Sequence, residues 1–491
     1  MKKVTIIGAG FSGMSAASFM AKAGWDVTVL EKHNMPGGRA RKFEEQGFTF
    51  DMGPSWYWMP DVFERYFHCF GKKVSDYYEL KRLDPSYRVY YPESVMDIPA
   101  DYDSLRKLFE SIEPGSANQL DIFMKEAAYK YKVGMNDLVY RPGLSIREFI
   151  DPAFIKALFK LDVFSSMKKH SRKYFKDPRL IELIEFPVLF LGALPEKIPA
   201  LYSLMNYADI KSGTWYPQGG MYNIADAMYK LALELGVKFK FDHDIVEIKT
   251  EGNKVIELTA DCKGSRLPIA TDVVIAAADY HFIESKLKPE QRSYSEKYWD
   301  SRTMAPSCLL YYVGLNKKLK KISHHSLFFD VDFNKHGKEI YDDPQWPKAP
   351  LFYVCAPSVT DPTVAPAGSE NLFFLIPVAA GLSGDTEALR EQYFKMIVKR
   401  YEELTGEIIS DAIIFKRSYA VSDFVHDYNA FKGNAYGLAN TLMQTALLKP
   451  SIKSKKLKNL FYTGQLTVPG PGVPPSLISG EVVAKYVNAE M

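Results

Sequence analysis

A glycine-rich turn near the N-terminus constrains the fold of this chain more than any other feature. Gly8, Gly10 and Gly13 form the pattern G-x-G-x-x-G between a predicted buried strand at residues 4–8 and a predicted helix at residues 13–23. In this pattern the first glycine permits a tight turn, the second lets the backbone approach a pyrophosphate, and the third lets helix and strand pack closely. The turn therefore predicts a dinucleotide site at a helix N-terminus, within a βαβ unit of a parallel sheet.

Two features downstream indicate which dinucleotide is bound. Glu31 ends the next predicted strand, where a carboxylate would hydrogen-bond the ribose hydroxyls and disfavour the 2′-phosphate of NADP. Gly37-Gly38-Arg39 then offers backbone that can approach a diphosphate and a flavin, with a guanidinium to neutralise phosphate. No second G-x-G-x-x-G occurs in the chain, which argues against a separate NAD(P)H domain. These features predict FAD; the alternative is a glycine-rich turn without a ligand.

Length, charge and cysteine usage exclude several other classes of protein. The chain has 491 residues, enough for two or three domains. Its net charge of +3, from 62 Lys+Arg against 59 Asp+Glu, does not indicate a nucleic-acid partner. The four cysteines contain no Cys-x-x-Cys pair and the nine histidines show no metal-ligand spacing, so no metal site is predicted. The cysteines are interpreted as reduced thiols of a cytoplasmic protein.

The remaining patterns divide the chain into broad regions. Residues 101–210 are predicted to be mostly helical, and strand patterns return from about residue 236. Residues 459–480 carry no charge but contain four Pro and four Gly, which exclude a spanning helix and predict a rigid loop before a C-terminal helix at about 476–488. The apolar N-terminus is better explained by the glycine motif than by a signal peptide, whose cleavage would destroy that motif.

Several blocks of sequence carry a family resemblance. Phe-Asp-Met-Gly-Pro-Ser stands at 50–55, Tyr-Pro-Gln-Gly-Gly-Met at 216–221 and Pro-Gly-Pro-Gly-Val-Pro at 469–474, and a histidine pair stands at 324–325. With the N-terminal motif, these blocks resemble the bacterial-type carotenoid (phytoene) desaturases, which are FAD-dependent members of the amine-oxidase-like flavoprotein superfamily. The resemblance spans nearly the whole chain.

The resemblance implies an α/β fold with three parts. The first is a Rossmann-type FAD-binding domain (GR2-like), discontinuous in sequence and formed by residues 1–75, 215–285 and 430–491. An inserted helical subdomain at 76–214 is expected to form a lid and to associate with the membrane. A mixed-sheet subdomain at 286–429 is expected to bind substrate.

The resemblance also implies the cofactor-binding residues. They are Gly8, Gly10, Phe11, Ser12, Gly13, Glu31, Lys32, Gly37, Gly38, Arg39, Gly53, Pro54, Ser55, Val246, Gly464, Gln465, Gly472, Val473 and Pro474. Val246 is expected to hold the adenine edge through its backbone, and Asp51 to lie near the flavin ring unless it caps a turn. The C-terminal helix can direct its N-terminus at the flavin pyrimidine. Gln465 and Val468 depart from the family, which often has an acidic residue and a His there.

The expected reaction needs few polar groups. It removes two hydrogens from neighbouring carbons of an allylic polyene, one as hydride to the flavin and one as a proton. The sequence offers no nucleophilic triad, so the catalytic residues are unknown; His324, His325 and Asp151 are weak candidates for a base, each with a structural role as the alternative. The aromatic run at 56–60 could wall a polyene tunnel or simply pack in the core.

A basic segment suggests contact with lipid. Residues 151–180 contain eight Lys or Arg against three Asp, interleaved with apolar side chains. Such a segment can lie on an anionic membrane; the alternative is a solvated helix face beside a buried one. Because carotenoids enter from lipid, we expect a protein that is cytoplasmic and peripheral on the inner face of the cell membrane.

The leading hypothesis is therefore an FAD-dependent carotenoid desaturase acting on a phytoene-type polyene, with quinone or oxygen as electron acceptor. One alternative is a 1-hydroxycarotenoid 3,4-desaturase, and another is a carotenoid cis-trans isomerase that uses reduced FAD without net oxidation. An amine oxidase and a non-catalytic flavin-binding carotenoid carrier are further alternatives.

Overall fold

The computed structural model describes residues 2–136, 138–149, 161–189 and 191–491. Within these ranges the helices are α1 (Phe11–Lys22), α2 (Pro60–His68), α3 (Tyr102–Ile112), α4 (Ser116–Asn136), α5 (Met167–Tyr174), α6 (Pro178–Leu189), α7 (Leu204–Tyr207), α8 (Tyr222–Glu234), α9 (Tyr280–Ser285), α10 (Glu296–Asp300), α11 (Phe333–Tyr341), α12 (Glu387–Thr405), α13 (Val421–Tyr428) and α14 (Val473–Glu490). The strands are β1 (Lys3–Ile7), β2 (Asp26–Leu30), β3 (Lys42–Glu45), β4 (Phe48–Asp51), β5 (Leu80–Arg82), β6 (Tyr87–Tyr90), β7 (Val95–Ile98), β8 (Trp215–Pro217), β9 (Lys238–Lys240), β10 (Asp244–Glu251), β11 (Lys254–Cys262), β12 (Ser265–Ala270), β13 (Val273–Ala276), β14 (Ser307–Leu315), β15 (His325–Phe328), β16 (Phe352–Cys355), β17 (Glu370–Val378), β18 (Ile413–Tyr419) and β19 (Leu460–Tyr462).

A parallel five-stranded sheet contains the glycine-rich turn. Its order is β19-β13-β1-β2-β9, and each neighbouring pair is parallel. The strands come from three distant parts of the chain, all within the segments predicted for the FAD-binding domain. β1 and β13 are nearly continuous buried runs, as expected for a parallel sheet covered on both faces by helices. The α/β Rossmann-type fold predicted from the sequence is confirmed.

Close packing of two helices holds the ends of the chain together. α1 packs against both α8 and α14. At Gly480 of α14, an added Cβ would overlap the carbonyl oxygen of Ser12 and lie 2.7 Å from the Cβ of Ser15. The side chain of Ser15 also donates a hydrogen bond to the carbonyl of Leu477 at 2.7 Å. Small residues on both helices therefore bring the C-terminal helix against the N-terminal dinucleotide motif.

A second, mixed sheet has seven strands in the order β18-β14-β17-β16-β15-β6-β7. Its pairs are antiparallel except β15 with β6, which is parallel. Strands β6 and β7 come from the 76–214 region, which is therefore not wholly helical. β10, β11 and β12 form a third, antiparallel sheet.

The structure differs from the sequence-based elements in several places. The strands that the sequence predicts from about residue 236 onward are present, beginning with β9, but the sequence patterns do not identify β15 and β18. The C-terminal helix begins at Val473, with prolines in its first turn, where no backbone N–H is needed. The region between 101 and 210 is mostly helical where described, and no helix of the described residues is long and apolar enough to span a bilayer.

Candidate functional site

A cavity of about 690 Å³ opens at the carboxyl ends of the parallel strands. Gly8 after β1, Glu31 after β2, Ala278 after β13 and Gly464 after β19 all line it. Ligands of open α/β sheets bind at this edge of the sheet, beyond the strand ends. The fold therefore places the predicted dinucleotide motif in the wall of this cavity.

Most of the predicted cofactor residues share this cavity. They are Gly8, Gly10, Phe11, Ser12, Glu31, Lys32, Gly37, Gly38, Arg39, Gly53, Pro54, Ser55, Gly464, Gln465, Gly472, Val473 and Pro474. Gly13 and Val246 do not line it. A Cβ on Gly13 would overlap the carbonyl oxygen of Gly8, so this glycine serves the close helix–strand packing that the motif predicts. Val246 lies at a register shift of β10, and its neighbours Asp244 and Ile245 line the cavity instead.

Two uncapped helix N-termini face the cavity. Gly10 is the N-cap of α1 and Gly472 is the N-cap of α14, and neither helix has a side-chain cap. Both glycines line the cavity. The first N–H groups of a helix lack intrahelical partners and carry a partial positive charge. Both helix ends can therefore bind negative charge in the cavity, such as that of a diphosphate or of a reduced electron-accepting ring.

Arg39 supplies a buried positive charge to the lining of the same cavity. Its Nη2 donates to the carbonyl of Asn434 at 3.2 Å, while its buried Nε has no hydrogen-bond partner among the described residues. With its amide oxygen turned toward Arg39, Gln465 accepts from Nη2 at 3.0 Å. Burial lowers the pKa of Arg39, an effect opposed by the charge of Asp279. The neutral Gln465 thus leaves much of the guanidinium charge for an anionic ligand.

Glu31 is held in place by the backbone. Its carboxylate accepts from the N–H of Ala9 at 2.6 Å and from the N–H of His33 at 3.0 Å. Burial raises the pKa of Glu31, and these two hydrogen bonds oppose the rise. The fixed carboxylate lines the cavity and retains acceptor capacity for ribose hydroxyls.

Asp51 has the turn-capping role that was the alternative to a place beside the flavin. It accepts from the N–H groups of Met221 at 2.7 Å and Tyr222 at 2.9 Å, at the start of α8. Burial raises its pKa to about 6. Asp51 lines a separate cavity of about 20 Å³ and is not among the residues that line the large one.

The histidine pair is buried behind the cavity wall. His324 contacts the hydroxyl of Thr360 through Nδ1 at 2.8 Å, and His325 contacts the hydroxyl of Tyr353 through Nδ1 at 2.6 Å. Burial lowers the pKa of His324 to about 3 and that of His325 well below its usual value. Both rings are therefore neutral and poor proton acceptors near neutral pH. The third candidate, Asp151, lies outside the described residues.

The histidines reach the cavity only through their neighbours. The ring of His325 stacks on Trp56, with centroids 4.1 Å apart. The hydroxyl of Tyr353 donates to the side chain of Ser55 at 3.0 Å. Trp56, Tyr353 and Ser55 all line the cavity. The pair is therefore placed to position part of the wall through this stack and this hydrogen bond.

Two clusters bring metal-ligand side chains together. In the first, ligand atoms of His324, His325 and Cys355 lie within 4.8 Å of one another. Burial raises the pKa of the Cys355 thiol to about 12, which opposes the thiolate that a metal needs. The second joins Glu126, Asp162 and His170, but Asp162 already pairs with the ammonium of Lys130 at 2.9 Å.

Much of the remaining cavity lining is apolar. Trp56, Trp58 and Met59 of the aromatic run line it, whereas Tyr57 is buried in the core, so both interpretations of that run apply. Further wall residues were not predicted because no motif marks them; they are Met135, Leu138, Val139, Leu161, Val163, Leu191, Leu201, Tyr202, Leu204, Leu310, Leu375, Asn440, Thr445 and Ala446.

Comparison with known proteins adds a family to this geometry. The family described as flavin containing amine oxidoreductase matches residues 11–488. A carotenoid 3,4-desaturase of Haloarcula japonica is 40% identical over 487 residues, which cover 98% of this chain and 97% of that protein. A zeta-carotene-forming phytoene desaturase of Myxococcus xanthus is 30% identical over 495 residues, covering 99% and 93%. Among solved structures, an oxidoreductase from Methanosarcina mazei has a TM-score of 0.63 at 16% identity and covers 98% of this chain and all of that one; this likeness concerns the fold alone.

Proposed function

This chain belongs to the flavin-containing amine oxidoreductases and, within them, to the carotenoid desaturases, and from this premise we propose that it uses FAD to desaturate the 3,4 bond of an acyclic carotenoid. The single observation that carries the proposal is one continuous cavity. Its lining includes the dinucleotide motif, Arg39 and the N-caps of two helices without side-chain caps, together with many aromatic and aliphatic side chains. The 3,4 position is favoured over phytoene because the relative that acts there is more similar to this chain, at 40% against 30% identity.

Each part of the cavity has a distinct task in this reaction. FAD, when bound, supplies the hydride acceptor. The N-termini of α1 and α14 and the guanidinium of Arg39 bind its negative charge. The apolar wall, including Trp56 and Trp58, orients the polyene and excludes water. The substrate loses a hydride from one carbon and a proton from the neighbouring carbon. The two electrons of the C–H bond that loses the proton form the new double bond.

Substrate choice is tested with purified holoenzyme under anaerobic conditions and an added quinone. Phytoene, lycopene and a 1-hydroxycarotenoid are supplied separately, and the products are separated and weighed by mass spectrometry. We expect loss of two hydrogens from lycopene or the 1-hydroxycarotenoid and unchanged phytoene; a reaction of phytoene alone contradicts the 3,4 assignment. A product of unchanged mass that forms only with reduced FAD would instead identify an isomerase. Protein without FAD is the control.

We also propose that the cavity opens toward a membrane, from which the substrate enters. Phe164 is 77% exposed beside Val163, and Met443 is 70% exposed two residues before Thr445; both neighbours line the cavity. The basic helix α5 follows Phe164 closely and carries Lys168, Lys169, Arg172 and Lys173. Exposed apolar tips beside positive charge fit an anionic lipid surface. Much of the predicted basic segment, residues 151–160, lies outside the described residues.

A further inference from the structure

Lys449 is a buried cation with no hydrogen-bond partner among the residues that the structure describes. Its side chain is 5% exposed, and its Nζ makes no hydrogen bond to the part of the chain that the structure describes. It follows a short turn, Ala446–Leu448, whose first residue lines the cavity. A buried ammonium is costly unless another group compensates it. The described residues supply no negative charge to balance this ammonium, so a negatively charged ligand nearby would stabilise it.

The Lys449 ammonium lies directly behind the cavity wall. Nζ is 3.3 Å from the position that a Cβ would take on Gly470, and the side-chain oxygen of Asn440 is 3.0 Å from the same point. This oxygen also accepts no hydrogen bond from the described part of the chain. Gly470 and Asn440 line the cavity, and Gly470 precedes the α14 N-cap, Gly472, by two residues. The Lys449 ammonium therefore lies close to Gly470 of the cavity wall, two residues before an uncapped helix N-cap.

The burial of Lys449 makes its protonation sensitive to the charge of a ligand in the cavity. Burial lowers its pKa to about 7, and burial is the sole cause: no charged or titratable side chain among the described residues contributes to the shift. A negative charge that arrives in the cavity raises the pKa of such an amine, because the two charges interact through a poorly screened interior. Near neutral pH the amine is therefore poised to gain or lose a proton with the charge of the ligand.

We propose that Lys449 is the charge partner of the bound flavin: it takes up one proton when FAD is reduced and releases it when FAD is reoxidised. This inference rests on the proposed FAD site. Reduction delivers two electrons to FAD with the hydride, and the added negative charge is balanced by a proton that binds the lone pair of Nζ. That proton comes from solvent or from the polyene. When the electron acceptor removes the two electrons, the ammonium returns the proton.

The test measures the reduction potential of the holoenzyme against pH, with a reference dye and no carotenoid. Above about pH 7 the amine is neutral with oxidised FAD, so wild-type enzyme should take up one more proton per two electrons than Lys449→Met. The variant should therefore show a shallower dependence of potential on pH in this window. Lys456→Met removes an exposed lysine from the same segment and should match wild type. Equal slopes in wild type and Lys449→Met overturn the proposal.

A second variant separates charge from proton uptake. Asn440→Asp places a carboxylate beside Nζ and should keep the amine protonated in both states, so the extra proton uptake is lost although the cation remains. Retention of the wild-type slope in this variant contradicts the proposal. Because Lys449→Met removes an unpaired buried cation, its thermal unfolding should occur at or above the wild-type temperature.

The potential measurement is independent of the substrate. A slope difference in an enzyme that desaturates no carotenoid would refute the proposed function and leave the role of Lys449 intact. Desaturation of a carotenoid by an enzyme whose slope is unchanged in Lys449→Met would support the proposed function and refute the role of Lys449.

Discussion

Arg39 shows how one side chain links the sequence motif to cofactor binding. Its buried Nε has no hydrogen-bond partner in the described ranges, and the neighbouring Gln465 is neutral at a position where the family often has an acidic residue. Arg39→Met should weaken FAD binding by about 10- to 100-fold, since hydrogen bonds to charged groups contribute roughly 1.5–3 kcal/mol. Isothermal titration of the apoprotein with FAD measures the loss. Arg41→Met is the matched control, because Arg41 pairs with Asp427 at 3.0 Å and does not line the cavity; an equal loss there would contradict the assignment.

Single residues also show which parts of the site the sequence alone could not predict. The glycines and Arg39 were predictable because their fixed spacing along the chain identifies the site. Asp51 was ambiguous, since a carboxylate after a strand can face a ligand or cap a distant helix, and only the fold brings α8 to it. Lys449 was not predictable at all, because its burial depends on tertiary packing and no local pattern distinguishes it from an exposed lysine.

At the scale of elements, the contact between α1 and α14 couples stability to the cofactor site. Gly480→Ala places a Cβ in overlap with the Ser12 carbonyl, and overpacking of this kind costs about 1–3 kcal/mol. Because Ser12 lines the cavity, FAD affinity should fall as well. Gly134→Ala in α4 is the matched control: its Cβ would meet only a movable leucine side chain at 3.3 Å. Urea unfolding compares the two, and equal stability of the variants would refute the packing argument.

A helix or strand was predictable when its own sequence, or the motif next to it, carries the pattern. β1 and β2 flank the glycine-rich turn and its helix, and the sequence predicts both bounds of β1 and the end of β2 to within one residue. β18 alternates exposed and half-buried residues at the edge of its sheet, and β15 is four residues long and contains a His. Such strands are stabilised by their neighbours, β14 for β18 and β16 for β15, so their own sequences carry little indication of them.

At the scale of the whole molecule, the two halves of the cavity arise in different ways. The cofactor half is built from short motifs whose glycines and charges are visible in the sequence. The substrate half draws apolar residues from α4, the 161–163 turn, the long β14 and the 435–446 loop, which meet only in the folded chain. Apolar side chains that line a tunnel have the same composition as a core, which is why the chemistry was predictable and the tunnel wall was not.

The exposed side chains of Phe164 and Met443, beside this wall, predict that the protein binds to a membrane surface. Phe164→Ser with Met443→Ser should reduce binding to vesicles by at least about tenfold, since burial of each such side chain contributes roughly 1.5–3 kcal/mol. Flotation with phosphatidylglycerol vesicles measures binding of the holoenzyme, and added salt should weaken the contribution of the α5 lysines. Val95→Ser, at a 53% exposed position of β7 away from the cavity, is the control. Undiminished flotation of the double variant would show that lipid contacts another face, whereas a selective loss would place the substrate entrance at the membrane surface.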